Sequence, residues 1–129
     1  MPYATRADLI DRTGDAEIEQ RESALPPGAV DRALADASAD AESYLAARYS
    51  VPVDPVPATL TRLVCAIARY YLLGDSASDR VRDDYKDALG ALRDIAAGRR
   101  ALDGAAAPAG GSASVAVEMV SQPRVWGRS

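Results

Sequence analysis

The chain has 129 residues, a formal charge of −4, one cysteine and neither histidine nor phenylalanine; aromatics make up 5% of it and the 48% hydrophobic fraction is largely alanine. One small core is the ceiling for such a chain, and the domain is expected to be a modestly stable monomer that gains from partners. The acidic balance argues against coating duplex DNA, which needs clustered cations, and the missing histidine removes the commonest general base and zinc ligand.

The opening MPYATRADLI lacks the cationic and apolar regions of a signal peptide, and no run reaches eighteen uncharged apolar residues. The expectation is a soluble protein made in the cytoplasm. Cys65 lies in the most apolar segment and has no second cysteine to pair with, so it should pack as a small hydrophobe.

Thr5 with Asp8 imitates a capping box, and Leu9 and Ile10 then make a short first helix that Gly14 stops. A second short helix begins at Asp15 with Ile18 as its apolar anchor, and Pro26, Pro27 and Gly28 end that region. From Val30 onward Leu34, Ala37, Ala41, Leu45 and Tyr49 recur every three or four residues, one stripe of a helix of about five turns, with Asp36, Asp40 and Ser43 on the other side.

Prolines 52, 55 and 57 then form a clamp, because each fixes its own φ and keeps the preceding residue out of helix. Leu60, Leu63, Val64, Ile67, Tyr70 and Tyr71 form the next stripe, widened by Cys65, Ala68 and Leu72 until only Thr59, Arg62 and Arg69 interrupt it. This helix should be the central one, with both tyrosines in the core and their hydroxyls at its rim. Gly74 closes it, and Ser76 with Asp79 offers a cap for a last helix over residues 78–97, buried through Val81, Tyr85, Ala88, Leu89, Leu92 and Ile95. Gly90 within it marks either a close backbone approach or a tolerated cost of about 1 kcal/mol. Gly98, Arg99 and Arg100 end the helix.

Residues 104–114, GAAAPAGGSAS, have linker composition, with a coil span of roughly 18 Å. Val115, Val117 and Met119 alternate as in a short strand, and Pro123, Arg124, Val125, Trp126 and Arg128 make a basic aromatic tip. Tryptophan and arginine dominate interface hot spots, so this tip is the candidate partner-binding site. The domain division is therefore a helical domain over 1–102, a linker over 103–114 and an arm over 115–129, and the fold class is all-α with four to five helices.

No nucleophile elbow, phosphate loop or dinucleotide fingerprint is present, and no cofactor is expected. Asp36 with Asp40 and Asp83 with Asp87 stand four apart, a spacing that suits a hard cation or an acid/base pair but is more often a solvated helix face. The chain does not look like an enzyme.

Many weak pieces in one order carry a family resemblance. They are Tyr3-Ala4-Thr5 with Asp8-Leu9 and Arg12 before Gly14, ALADASADAESYLAARY, the clamp Val-Pro-Val-Asp-Pro-Val-Pro, CAIARYYLLGD, Val81-Arg82 with Tyr85-Lys86-Asp87-Ala88-Leu89, Asp94-Ile95-Ala96-Ala97-Gly98, and Ser121-Gln122-Pro123-Arg124-Val125-Trp126. Together they resemble the Mu-like phage and prophage family of small head-tail connector, or adaptor, proteins, formerly a domain of unknown function. Thr13, where the family tends to have an aromatic, and Gly90-Ala91, where it has bulkier residues, depart from the pattern.

The resemblance implies a virion protein of the phage neck. It would be a homo-oligomeric ring in the assembled particle, with monomers expected when free, between the portal protein and a tail-side connector or tail terminator protein. DNA would pass through it without tight binding, and no membrane is involved. The alternative is a small helical scaffolding or regulatory module used only during virion assembly.

Overall fold

The computed structural model describes residues 2–102. Five α-helices make up its regular structure: α1 (Arg6–Thr13), α2 (Asp15–Ala24), α3 (Ala29–Leu45), α4 (Ala58–Leu73) and α5 (Asp79–Ala96), with a 3₁₀ turn at Gly74–Ser76. The class is all-α, as the periodicity requires. The arm, its short strand and its tip at Pro123, Arg124, Val125, Trp126 and Arg128 lie outside the described residues.

The capping box at α1 is complete: the Thr5 hydroxyl accepts from the Asp8 N–H while the Asp8 carboxylate accepts from the Thr5 N–H. Two of the orphan donors of the first turn are thereby satisfied. At α5 the cap is Ser78, whose Oγ accepts from the Val81 N–H at 3.2 Å, and not Ser76, which is absorbed into the 3₁₀ turn after α4. The other end of α5 closes in a Schellman arrangement, with Gly98 N–H on the Ile95 carbonyl and Arg99 N–H on the Asp94 carbonyl. That geometry needs the left-handed φ of +81° that Gly98 adopts.

α4 is the central helix. It packs on α3 along one side, on α5 along another and on α1 along a third, and its Leu60, Leu63, Val64, Cys65, Ile67, Ala68 and Leu72 are buried. α3 presents alanines 33, 37 and 41 to the same core, small side chains that let the helix axes approach closely. Cys65 is buried as expected, and burial raises its thiol pKa to about 11.

α2 is held by less apolar contact, with Ile18 its one buried residue. Two arginines make up the difference. Arg69 of α4 grips Glu17 with two bonds of 2.8 and 2.9 Å, and Arg21 of α2 donates to the Leu72 carbonyl at the end of α4.

Two further expectations are corrected, and the choice left open at Gly90 falls on the tolerated cost. α3 stops at Leu45, where the last turn tightens into i→i+3 bonds, Ala47 N–H on the Tyr44 carbonyl and Arg48 N–H on the Leu45 carbonyl; Tyr49 lies beyond it, half-buried, where its hydroxyl accepts from the Leu102 N–H at 3.0 Å. Tyr71 is 36% exposed, since α3 covers only its hydroxyl end, whereas Tyr70 is half-buried and stacks on Tyr85 with ring centroids 4.2 Å apart. At Gly90 a Cβ would meet only the Arg93 side chain, at 3.9 Å, so no backbone approaches it. Gly90→Ala is therefore expected to add about 1 kcal/mol and raise the melting temperature by about 5 °C in a thermal scan.

Candidate assembly surfaces

Tyr3 ties the N-terminal segment to three others. It is 4% exposed; its N–H donates to Ser38 Oγ of α3 at 2.9 Å, its carbonyl accepts from Thr61 Oγ1 of α4 at 3.0 Å, and its hydroxyl accepts from the Val53 N–H at 3.0 Å while donating to the Glu42 carboxylate. The clamp is thus pinned through Val53, itself buried, and α3 and α4 are held as one unit. Pro52 and Pro55 follow cis peptide bonds; Val51, just before Pro52, and Val56, between Pro55 and Pro57, are exposed.

Between α1, α4 and α5 the surface opens into a groove of about 390 Å³. Its floor is Cys65, Ala66 and Val81, and its walls are Arg12 and Thr13 from α1, Arg62 and Arg69 from α4, and Asp84 and Asp87 from α5. Thr13 turns its hydroxyl back to the Leu9 carbonyl at 2.7 Å, so it leaves the volume unfilled. Arg69 is committed to Glu17 and Asp84 faces Arg80 at 3.8 Å, whereas Arg12, Arg62 and Asp87 have no ion-pair partner among the described residues. The groove has two free cations against one free anion.

The other side of the molecule has the opposite character. Asp31, Arg32, Ala35, Asp36, Ala39, Asp40 and Ser43 are exposed along α3, and Arg32 is turned onto the Pro27 carbonyl at 2.9 Å. What remains is an acidic, alanine-studded ridge. Tyr71 fixes its relation to the groove: its hydroxyl donates to the Asp40 carboxylate, and it stands nine residues, hence half a turn, round α4 from Arg62. Ridge and groove therefore lie on opposite sides of α4. Burial and the Asp40 bond raise the Tyr71 pKa well above its ordinary value, keeping the hydroxyl a donor.

The paired aspartates singled out in the sequence fall on these surfaces without converging. Asp36 and Asp40 sit on the ridge; Asp83 is exposed and Asp87 lines the groove. Among the described residues no group of three or more histidine, cysteine, aspartate or glutamate side chains is placed to hold a metal, and no helix is long and apolar enough to cross a membrane. The groove itself escapes sequence reading, because each of its charges sits on a separate helix and there resembles a solvated face.

The profile of the family described as Bacteriophage Mu, Gp36 matches residues 3–121. The chain belongs to that family. It is 36% identical over 132 residues to the Mu-like prophage FluMu protein gp36 of Haemophilus influenzae, an alignment covering 98% of this chain and 94% of that protein. It is also 34% identical over 96 residues to gene product J of Escherichia phage Mu, covering 74% of this chain and 64% of that protein. The protein is thus a Mu-type phage protein, and the matched span contains every helix described above.

Proposed function

We propose that the protein is a structural head-tail connector (adaptor) subunit, whose copies form a ring between the portal and the tail and continue the DNA channel. The observation that carries this reading is a match to a phage family that runs through the whole helical unit, in a chain whose motifs resemble those of phage connectors. The unit works by assembly and not by turnover. Its helices are locked together through Tyr3 and the clamp, so it can be tiled without deforming. A net acidic subunit repeated around a channel repels DNA phosphates and lets the genome slide past.

The arm over residues 115–129, tethered by the linker over 103–114 and with Pro123, Arg124, Val125, Trp126 and Arg128 at its tip, serves in this scheme to hook a neighbouring subunit, the portal or the tail-side protein. Leu102 is buried and bonded to Tyr49, so a cut after Asp103 spares the core. Deleting residues 104–129 is expected to leave the unfolding transition of the helical domain in place while reducing incorporation into particles, measured by quantitative mass spectrometry of purified virions. Unchanged incorporation would remove the arm from the mechanism.

The same measurement tests the connector reading against a scaffolding module used only during assembly. A connector is recovered from mature particles at a fixed number of copies, and electron microscopy places it in the neck; a scaffolding module is lost before maturation.

A further inference from the structure

We propose that the acidic ridge of α3 in one copy packs into the α1–α4–α5 groove of a second copy, with Asp36 facing Arg62 and Arg12, and that repetition of this one contact closes the ring. The inference rests on the connector reading and names the surfaces that reading leaves open.

Three observations single out a second copy as the occupant. The first is charge. The groove holds the unpaired cations Arg12 and Arg62 against the single unpaired anion Asp87, and the ridge holds Asp31, Asp36 and Asp40 with its one arginine turned away to the Pro27 carbonyl. In a chain of net charge −4, most contacts between copies are repulsive, and this pairing joins local excess of one sign to local excess of the other.

The second is shape. Ala35 and Ala39 stand one turn apart on the ridge with Ser43 a turn further, all exposed, so this stripe of α3 carries only short side chains, beside a shallow depression bordered by Pro2, Ser38 and Glu42. The groove floor offers Ala66 and Val81, equally short, with arginines rising on either wall. A narrow helix face between charged walls is the helix-in-groove mode of recognition.

The third is direction. Because ridge and groove lie on opposite sides of α4, a copy that docks its ridge still presents its groove to the next. Such a contact is heterologous, and its repetition gives a closed ring or an open filament. A two-fold dimer through the ridge would instead set aspartates against aspartates.

The test complements a phage lacking this gene with variants and counts copies per purified particle by mass spectrometry. Asp36→Arg and Arg62→Glu, both at exposed positions whose folding is checked by circular dichroism, should each lower incorporation about tenfold or more, and the double reversal should recover most of it, since each contact then regains one cation and one anion. Ala39→Trp, at an exposed position and without change of charge, should lower incorporation by obstructing the close approach. In particles of a Cys65→Ala background, cysteines placed at 36 and 62 should give a ladder of multimers with a short bismaleimide.

Single reversals that incorporate normally, or a double variant no better than either single, would overturn the proposal while leaving the connector reading intact. So would loss with Arg62→Glu alone, which would assign the groove to the arm or to another neck protein. A wild-type chain absent from particles would instead sink the connector reading, and this inference with it.

Discussion

Replacing Tyr3 with phenylalanine is expected to cost about 3 kcal/mol of folding free energy and lower the melting temperature by more than about 10 °C, although the ring is kept. The loss comes from one oxygen. The Tyr3 hydroxyl accepts from the N–H of Val53, a residue only 2% exposed, and it donates to the Glu42 carboxylate. Phenylalanine leaves the Val53 donor buried without a partner and the half-buried carboxylate without its strongest donor, and an unmade bond costs more than a made one gains. Glu42→Gln provides the comparison: it keeps an acceptor for Tyr3 and should cost roughly half as much.

The same hydroxyl predicts how stability falls in alkali. Burial above all, with the Glu42 bond and charge adding and the Val53 bond opposing, lifts the Tyr3 pKa from 10.0 to about 12. The folded chain therefore holds this proton more tightly than the unfolded chain. The stabilisation is whole below pH 10.0, where both states keep the proton, and fades as pH rises toward about 12. Denaturant titrations across that window should show a falling stability in the wild type and a shallower slope in Tyr3→Phe. Tyr71, also raised by burial and by Asp40, accounts for part of what slope persists.

The helices were legible because their signals are local. Thr5 and Asp8 sit three apart and cap one another, and the stripe through α4 is almost uninterrupted, so both the start of α1 and the burial of α4 follow from spacing alone. What spacing could not supply was any contact across the chain. Tyr3 bonds to residues 38, 42, 53 and 61, and from sequence it is only an aromatic before a helix. Ser78 displaced Ser76 as a cap because the chain spends three residues on a 3₁₀ turn after α4, a choice that no periodicity records. Tyr71 looked like core by register, yet α3 reaches only its hydroxyl end. The groove exists because α1 and α5 pack on different sides of α4 and leave the Arg62–Ala66–Arg69 stripe between them uncovered. The arm tip, which the sequence marks as the candidate partner-binding site, lies outside the described residues.

Ile67→Ala is expected to be among the most damaging single truncations in α4, at about 3–4 kcal/mol, seen as a lower urea midpoint with an unchanged slope. Ile67 is fully buried in the core shared by α3, α4 and α5. A cavity costs least where neighbours can swing into it, and the core that holds Ile67 is rich in alanine: Ala33, Ala37 and Ala41 on α3, Ala88 and Ala91 on α5. Such side chains have no rotamers with which to fill a void, and the helix backbones behind them already approach closely. Against a total of about 5–15 kcal/mol for a domain of this size, that loss leaves the free variant near its unfolding threshold. Assembly then gives the effect a second reading. A contact made only by the folded subunit stabilises it by mass action, so a ring-forming chain should recover part of the lost stability on incorporation. Ile67→Ala should therefore be scarce as a soluble subunit and yet as resistant to protease as wild type once inside the particle. Equal protease sensitivity in both settings would mean that the particle makes no stabilising contact with this domain.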